Sequence, residues 1–320
     1  MQKFLETPFI HHFTNFRMAD DDIKLPFAVG GGTQQGVEHS LDNQNNQDAL
    51  SILIDNNYII GCVCDGCSST HDYLKDSFSN NEVGAKLIGH VVTRNVQRII
   101  KDKEIEDVNL FLTELSENVL QQLVKLVDIF CEEDEMDREL FIFDFLMTTV
   151  LGFVVTQEKY IVFYCGDGVI GINDKINVLE ETGSYFGEKF LRRCCPDKYS
   201  TIKSHNSDFK IFSIGEVADL NNIFMATDGF YNIANNHKEA LVDFVDQATK
   251  IVRSGFDHIL PEFRNRILKN KAISNEIMSK NWPRDDASFL LLRRIDENKI
   301  ITANSSDNSI AEDLDNDSDN

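Results

Sequence analysis

Three apolar, β-rich runs end in Asp-Gly: YIIGCVCDG over residues 58–66, YIVFYCGDG over 160–168 and NIFMATDG over 222–229. Two further aspartates keep similar company, Asp48 ahead of ALSILI and Asp285 ahead of ASFLLL. A carboxylate at a strand end is held by the sheet yet open to solvent, so several can converge on one point. Converging carboxylates repel one another unless cations lie between them. Hard divalent ions such as Mg²⁺ or Mn²⁺ prefer carboxylate and carbonyl oxygens, with water completing the shell. The pattern therefore predicts a metal site built by strand ends. Asp-Gly is also a common tight-turn dipeptide, because both residues tolerate positive φ. Repetition behind runs of one kind, with two flanking aspartates, favours the metal reading.

The elements that must position these residues follow from the hydrophobic pattern. Apolar runs at 50–54 and 58–64, joined by Asp55-Asn56-Asn57, predict a β-hairpin. Ser79-Asn80-Asn81-Glu82 fits a capping box, and Val83, Leu87, Val91 and 96–100 follow at helical spacing. Val108, Phe111, Leu112, Leu115 and Val119 continue a second amphipathic helix to about Phe130, beyond the charged stretch 101–107. These two helices are expected to pack antiparallel over one sheet face. Segments 145–156, 160–173, 209–214, 222–227 and 289–294 are strand-like, and 236–281 returns to helical patterning with Leu241, Phe244, Val245, Ala248 and Val252 on one face. Strands grouped between helix pairs predict an α+β fold with mostly antiparallel sheets rather than an alternating βαβ fold. Residues 1–26 are expected to be an irregular lead-in, with Gly30-Gly31-Gly32 a flexible approach to the first strand. The domain is expected to span 27–297, and the Ser/Asp/Asn-rich stretch 298–320 to be an acidic, disordered tail.

Bulk properties narrow the partners. With 320 residues, 42% hydrophobic content and a formal charge of −22, the chain can bury a large core but repels nucleic acid and anionic membranes. Its seven cysteines lie inside apolar runs (Cys62, Cys64, Cys165) or side by side (Cys194, Cys195), a usage that suits a reducing compartment. The Cys64-x-x-Cys67 spacing has no second pair at zinc-ribbon distance. No stretch approaches the ~20 apolar residues of a membrane span. A soluble, cytoplasmic protein is expected.

The ordered set Gly36-Val37-Glu38-His39, Asn46-Gln47-Asp48-Ala49, Cys64-Asp65-Gly66, Met147-Thr148-Thr149, Cys165-Gly166-Asp167-Gly168, Ala226-Thr227-Asp228-Gly229 and Arg284-Asp285-Asp286-Ala287-Ser288 resembles that of the metal-dependent protein phosphatases of the PP2C type, over roughly residues 30–295. The Gln-Asp-Ala form, with His39 nine positions before Asp48, is similar to a bacterial branch of that family. The resemblance implies a four-layer α-β-β-α sandwich with two Mn²⁺ or Mg²⁺ ions in a cleft at one end. It implies that Asp65 bridges both ions, the Gly66 carbonyl binds one, Asp228 and Asp285 hold the second, and Asp48 orients a metal-bound water. Asp167 matches a ligand of a weaker third ion. The implied activity is hydrolysis of phosphoserine and phosphothreonine by direct attack of a hydroxide bridging the two ions, without a phosphoenzyme. The implied partners are a phosphoprotein substrate and a cognate protein kinase, with the chain itself a monomer.

Departures from the family pattern bear on catalysis. Asn43 stands where an arginine usually contacts phosphate, and His39 is the candidate replacement, or a structural histidine. Cys67 occupies the place of a histidine that protonates the leaving oxygen. A thiol is either a poor donor there or inert, and His71 is a possible substitute. Asn232 replaces a third-metal carboxylate. These gaps leave open a second function, a pseudophosphatase that binds or scaffolds a protein kinase.

Overall fold

A computed structural model describes residues 25–36, 39, 45–67, 80–102, 104–131, 135–173, 175–179, 185–200, 208–231 and 285–294. Ten strands form two five-stranded sheets. The first sheet runs β1 (Phe27–Gln34), β10 (Ala287–Arg294), β9 (Asn222–Ala226), β6 (Gly168–Ile172), β7 (Lys175–Leu179). The second runs β2 (Asp48–Ile54), β3 (Ile59–Asp65), β4 (Val150–Val155), β5 (Lys159–Cys165), β8 (Lys210–Glu216). Every strand pairing among the described residues is antiparallel.

The alternation of β3 shows why these runs carry few polar residues. Ile60, Cys62 and Cys64 face the helices, while Ile59 and Val63 face the first sheet. Both faces of the strand are buried, so its sequence is a continuous apolar run. The core between the sheets holds Val29, Val63, Phe153, Ile170, Met225 and Leu290. A second core lies between the β2-to-β8 sheet and helices α1 (Asn81–Asp102), α2 (Val108–Phe130), α3 (Glu135–Phe145) and α4 (Gly187–Cys194), followed by the short α5 (Pro196–Tyr199).

The α+β architecture and the α1–α2 pair over one sheet face agree with expectation. Helix α2 starts at an Asp107 cap, whose carboxylate accepts from Asn109 N (2.8 Å) and Leu110 N (3.1 Å) and ends at Phe130. Three expectations change. The glycines 30–32 lie inside β1, paired with Leu291, Leu290 and Phe289 of β10, instead of forming a flexible approach. Segment 145–156 is not one strand, because Phe145 closes α3 and β4 starts only at Val150. Segment 160–173 is two strands in different sheets, broken at Gly166-Asp167. The helical layer expected at 236–281 lies outside the described residues, as do Ser79, the lead-in 1–24 and the tail.

The buried stripe of α1 is Ala85, Ile88, Val92, Val96 and Ile99, while Val83 is 48% exposed and Leu87 and Val91 are only partly covered. Small residues decide this rotation: Gly84, Ala85 and Gly89 let the helix approach the sheet and α3 closely. A Cβ added at Gly84 would land on the Phe145 carbonyl oxygen. Gly84→Ala is expected to destabilise the protein by about 2–3 kcal/mol, the usual cost of overpacking. Urea denaturation checks this; an unchanged midpoint would mean that α1 shifts freely.

Registers align the functional strand ends. Asp48 opens β2 directly opposite Asp65, which closes β3, and Val150 opens β4 opposite Cys165, which closes β5. In the other sheet, Gln34 ends β1 opposite Ala287, and Ala226 ends β9 opposite both Phe289 and Val169. Asp48, Asp65, Asp228 and Asp285 thus meet at one end of the sandwich, from both sheets, and Asp167 lies at the same end between β5 and β6. None of the described helices is long and apolar enough to cross a membrane.

Candidate metal centre

Asp48 and Asp65 are direct cross-strand neighbours, a placement that costs stability for like charges. Asp48 is 2% exposed. Its Oδ2 accepts a hydrogen bond from Thr227 Oγ1 at 2.7 Å, and Thr227 in turn accepts from Ser288 N at 2.9 Å. Thr227 therefore ties the start of β2 in one sheet to the start of β10 in the other. Asp48 Oδ1 is buried and has no hydrogen-bond partner. A buried, unsatisfied carboxylate oxygen is costly unless something not of the protein satisfies it.

Electrostatics reinforce the point. Burial, then Asp286, Asp228 and Asp285, push the Asp48 carboxyl well above the usual carboxylate range, against a lowering hydrogen bond from Thr227. Burial, then Asp48, Asp228 and Asp285, do the same to Asp65, which also lies within hydrogen-bonding contact of Asp228. Asp48 and Asp65 thus resist ionisation, first because they are buried and then because other carboxylates lie near them. A divalent cation among them reverses that balance, and an all-oxygen donor set suits Mg²⁺ or Mn²⁺. Four of the sequence-predicted residues, Asp48, Asp65, Asp228 and Asp285, are thereby brought together.

The turn after Asp65 is held by backbone contacts. Its carbonyl accepts from Thr149 N (2.8 Å) and Thr148 Oγ1 (2.6 Å), and Gly66 N donates to the Gln47 carbonyl (3.2 Å). A side chain at Gly66 would meet the Asn81 carbonyl at 2.6 Å and the Gln47 carbonyl at 2.9 Å, so only glycine fits. The buried Asn81 amide donates to the Cys67 carbonyl (2.6 Å) and the Phe143 carbonyl (3.1 Å), and accepts from Met147 N (2.9 Å). Asn81 opens α1, so the helix start clamps the aspartate turn.

Sequence reasoning assigned no role to Asp286. Its Oδ1 accepts from Gly36 N at 2.6 Å, and its Oδ2 accepts from Gln47 N at 2.5 Å and lies 2.8 Å from His39 Nδ1. It is 3% exposed, while the neighbouring Asp285 side chain is 55% exposed and lies 3.6 Å from His39 Nε2. Among the described residues, His39, Asp285 and Asp286 form the group of potential ligand atoms all within 4.8 Å of one another. Asp286 already serves two amides and a histidine, so it positions its neighbours. Its hydrogen bond raises the His39 pKa, against burial. An acidic pair just before a strand was visible in sequence, but not which member turns inward.

Asp167 sits apart from this group, beside Tyr231 and Cys67. Tyr231 Oη accepts from Gly168 N (2.9 Å) and donates to the Leu179 carbonyl (3.0 Å), fixing the turn that carries Asp167. Burial pushes the Cys67 thiol up to about 12. Of the two readings for this thiol, inertness fits. Asn43, His71 and Asn232 lie outside the described residues.

An α+β sandwich whose two sheets deliver clustered aspartates to one end defines a class of protein able to hold divalent cations there. The sequence model of the protein phosphatase 2C family matches residues 35–263, and the chain belongs to that family of metal-dependent protein phosphatases. No curated protein matches the chain. Among solved structures it is similar to the serine/threonine phosphatase Stp1 from Staphylococcus aureus, with 14% identity, 87% of this chain and 99% of that chain covered and a TM-score of 0.46. It is similar also to the S. agalactiae serine/threonine phosphatase (12% identity, 84% and 100% covered, TM-score 0.44). A third is the catalytic domain of the serine threonine protein phosphatase PstP in complex with two manganese ions (11% identity, 84% and 99% covered, TM-score 0.43).

Proposed function

We propose that this chain hydrolyses phosphoserine and phosphothreonine in proteins, with two Mn²⁺ or Mg²⁺ ions held by Asp65, Asp228, Asp285 and the Gly66 carbonyl. The observation that carries the reading is Asp48 Oδ1, buried and partnerless beside Asp65. When bound, such ions supply Lewis acidity and a water acidic enough to attack phosphorus directly near neutral pH. Asp48 contributes orientation: with Oδ2 fixed by Thr227, Oδ1 is the acceptor for a water proton. His39, held through Nδ1 by Asp286, presents Nε2 at the Asp285 side of the cleft, where it takes the phosphate-contact role left by Asn43. Asp167 stands by a weaker third site.

A thiol with a pKa near 12 donates protons poorly at neutral pH, so Cys67 gives little help to a departing serine alkoxide. Nitrophenolate leaves without a proton. In manganese buffer, kcat/KM for p-nitrophenyl phosphate is expected to exceed that for a phosphoserine peptide by about 10²-fold or more, the lower end of the usual size of general-acid help. Comparable values on both substrates, unmoved by His39→Ala and His71→Ala, would refute this. The overall assignment is tested by manganese-dependent release of phosphate from the peptide by the wild type and by Asp65→Asn. Metal binding without turnover would point instead to a binding or scaffold role beside a protein kinase.

A further inference from the structure

A groove of about 740 Å³ lies between α2, α4 and the start of β8, the edge strand three places from β3, at the end of the sandwich where Lys210 pairs with Tyr164. Its apolar atoms come from Leu112, Leu120, Phe209 and Ile211. Four cations line it, Lys189, Arg192, Arg193 and Lys210, against two carboxylates, Glu117 and Asp208. Lys189 engages both carboxylates, at 3.2 Å and 2.7 Å. The lining thus carries two net positive charges in a chain of formal charge −22. A positive groove with an apolar base suits a segment that alternates acidic and apolar residues.

The chain contains such a segment. Between 300 and 320 there is no Lys or Arg, while Asp307, Glu312, Asp313, Asp315, Asp317 and Asp319 surround Ile310 and Leu314, which are spaced four residues apart. That is the anchor spacing of a peptide that lays one face into a groove. Reach is sufficient. Strand β10 ends at Arg294, whose guanidinium donates to the Leu220 carbonyl (2.8 Å) and the Val217 carbonyl. Val217 directly follows β8, and Lys210 at the opposite end of β8 lines the groove. Seven strand residues span about 20 Å. The sixteen residues from 295 to 310 can extend to about 50 Å.

We infer that residues 307–319 dock in this groove of their own chain, with Ile310 and Leu314 on its apolar base and the acidic residues against Arg193 and Lys210. Tethering raises the local concentration of the segment, so the contact competes with acidic partners in trans. The inference does not depend on the metal reading.

The test uses the full chain with Thr113, an exposed residue at the groove, replaced by the photo-cross-linker p-benzoylphenylalanine. Irradiation should join position 113 to the tryptic peptide 300–320 of the same molecule. The yield should fall at least about fivefold in Ile310→Ser/Leu314→Ser and in Arg193→Glu/Lys210→Glu, and should drop as salt rises from about 0.05 to about 0.5 M, as screening requires. The first pair of substitutions lies outside the described fold, so a folding defect in the second pair leaves the test intact. Absence of the cross-link, a yield unchanged in the Ile310/Leu314 variant, or cross-links only between isotopically distinguished copies would overturn the proposal. So would capture of an added acidic phosphopeptide while 300–320 stays unlinked, which would assign the groove to substrate.

Discussion

Asp65→Asn is expected to lower manganese-dependent kcat/KM by at least about 10³-fold, a loss of about 4 kcal/mol of transition-state stabilisation. The same variant should melt higher than the wild type in EDTA. Both effects have one cause. Asp65 faces Asp48 across the β2–β3 pair and lies in contact with Asp228, so its negative charge is unfavourable until cations arrive. Asparagine keeps the shape and removes the repulsion, which stabilises the metal-free fold while removing the anionic oxygen that would hold the metal. Manganese at a hundred times its Kd stabilises a binding protein by about 2.7 kcal/mol, and the variant should lose most of that shift. Thermal melts with and without manganese, alongside phosphate release, check the prediction. A variant that keeps both its activity and its metal-induced shift would show that Asp65 is not a ligand.

Asp286→Ala is expected to cost about 4 kcal/mol of stability, because it leaves the Gly36 and Gln47 amides without their acceptor in a buried place, at about 1–3 kcal/mol each. It also frees the His39 ring and loosens the start of the strand that carries Asp48. Misplacement on that scale is worth about a hundredfold in rate. The loss should fall in kcat with KM little changed, since Asp286 holds other residues and not substrate. Asp286→Asn retains one acceptor oxygen and should recover about half of the stability by urea denaturation. If Asp286→Ala were as stable as wild type, the three contacts would not be load-carrying in solution.

Much of the centre was legible in the chain because strand ends announce themselves. A run buried on both faces, like β3, favours a stop where a carboxylate and a glycine appear, so Asp65-Gly66 and Asp228-Gly229 could be placed at or just past strand ends without coordinates. The hairpin at 55–57 and the end of α2 at Phe130 were readable for the same reason, as local chemistry acting over a few residues. What stayed hidden depends on contacts between distant parts of the sequence. The rotation of α1 follows from Gly84 meeting the end of α3, which no periodicity reveals. The split of 160–173 into two sheets turns on the Asp167 loop being fixed by Tyr231, more than sixty residues later.

The sequence by itself determined the kind of chemistry: oxygen donors only, repeated at the ends of apolar runs, are suited to hard divalent cations. Tertiary structure decided which carboxylates are buried and bonded and which are left open. Asp285 and Asp286 are adjacent and identical in type, yet one is exposed and the other is buried under two amides and a histidine that lie some 240 to 250 residues away. Thr227, silent in sequence, fixes Asp48 so that one oxygen is satisfied and the other is left for a ligand. The physical reason is that residue type sets what an atom can bind, whereas burial and hydrogen bonding, which arise only when the two sheets close on each other, set what it has left to bind with.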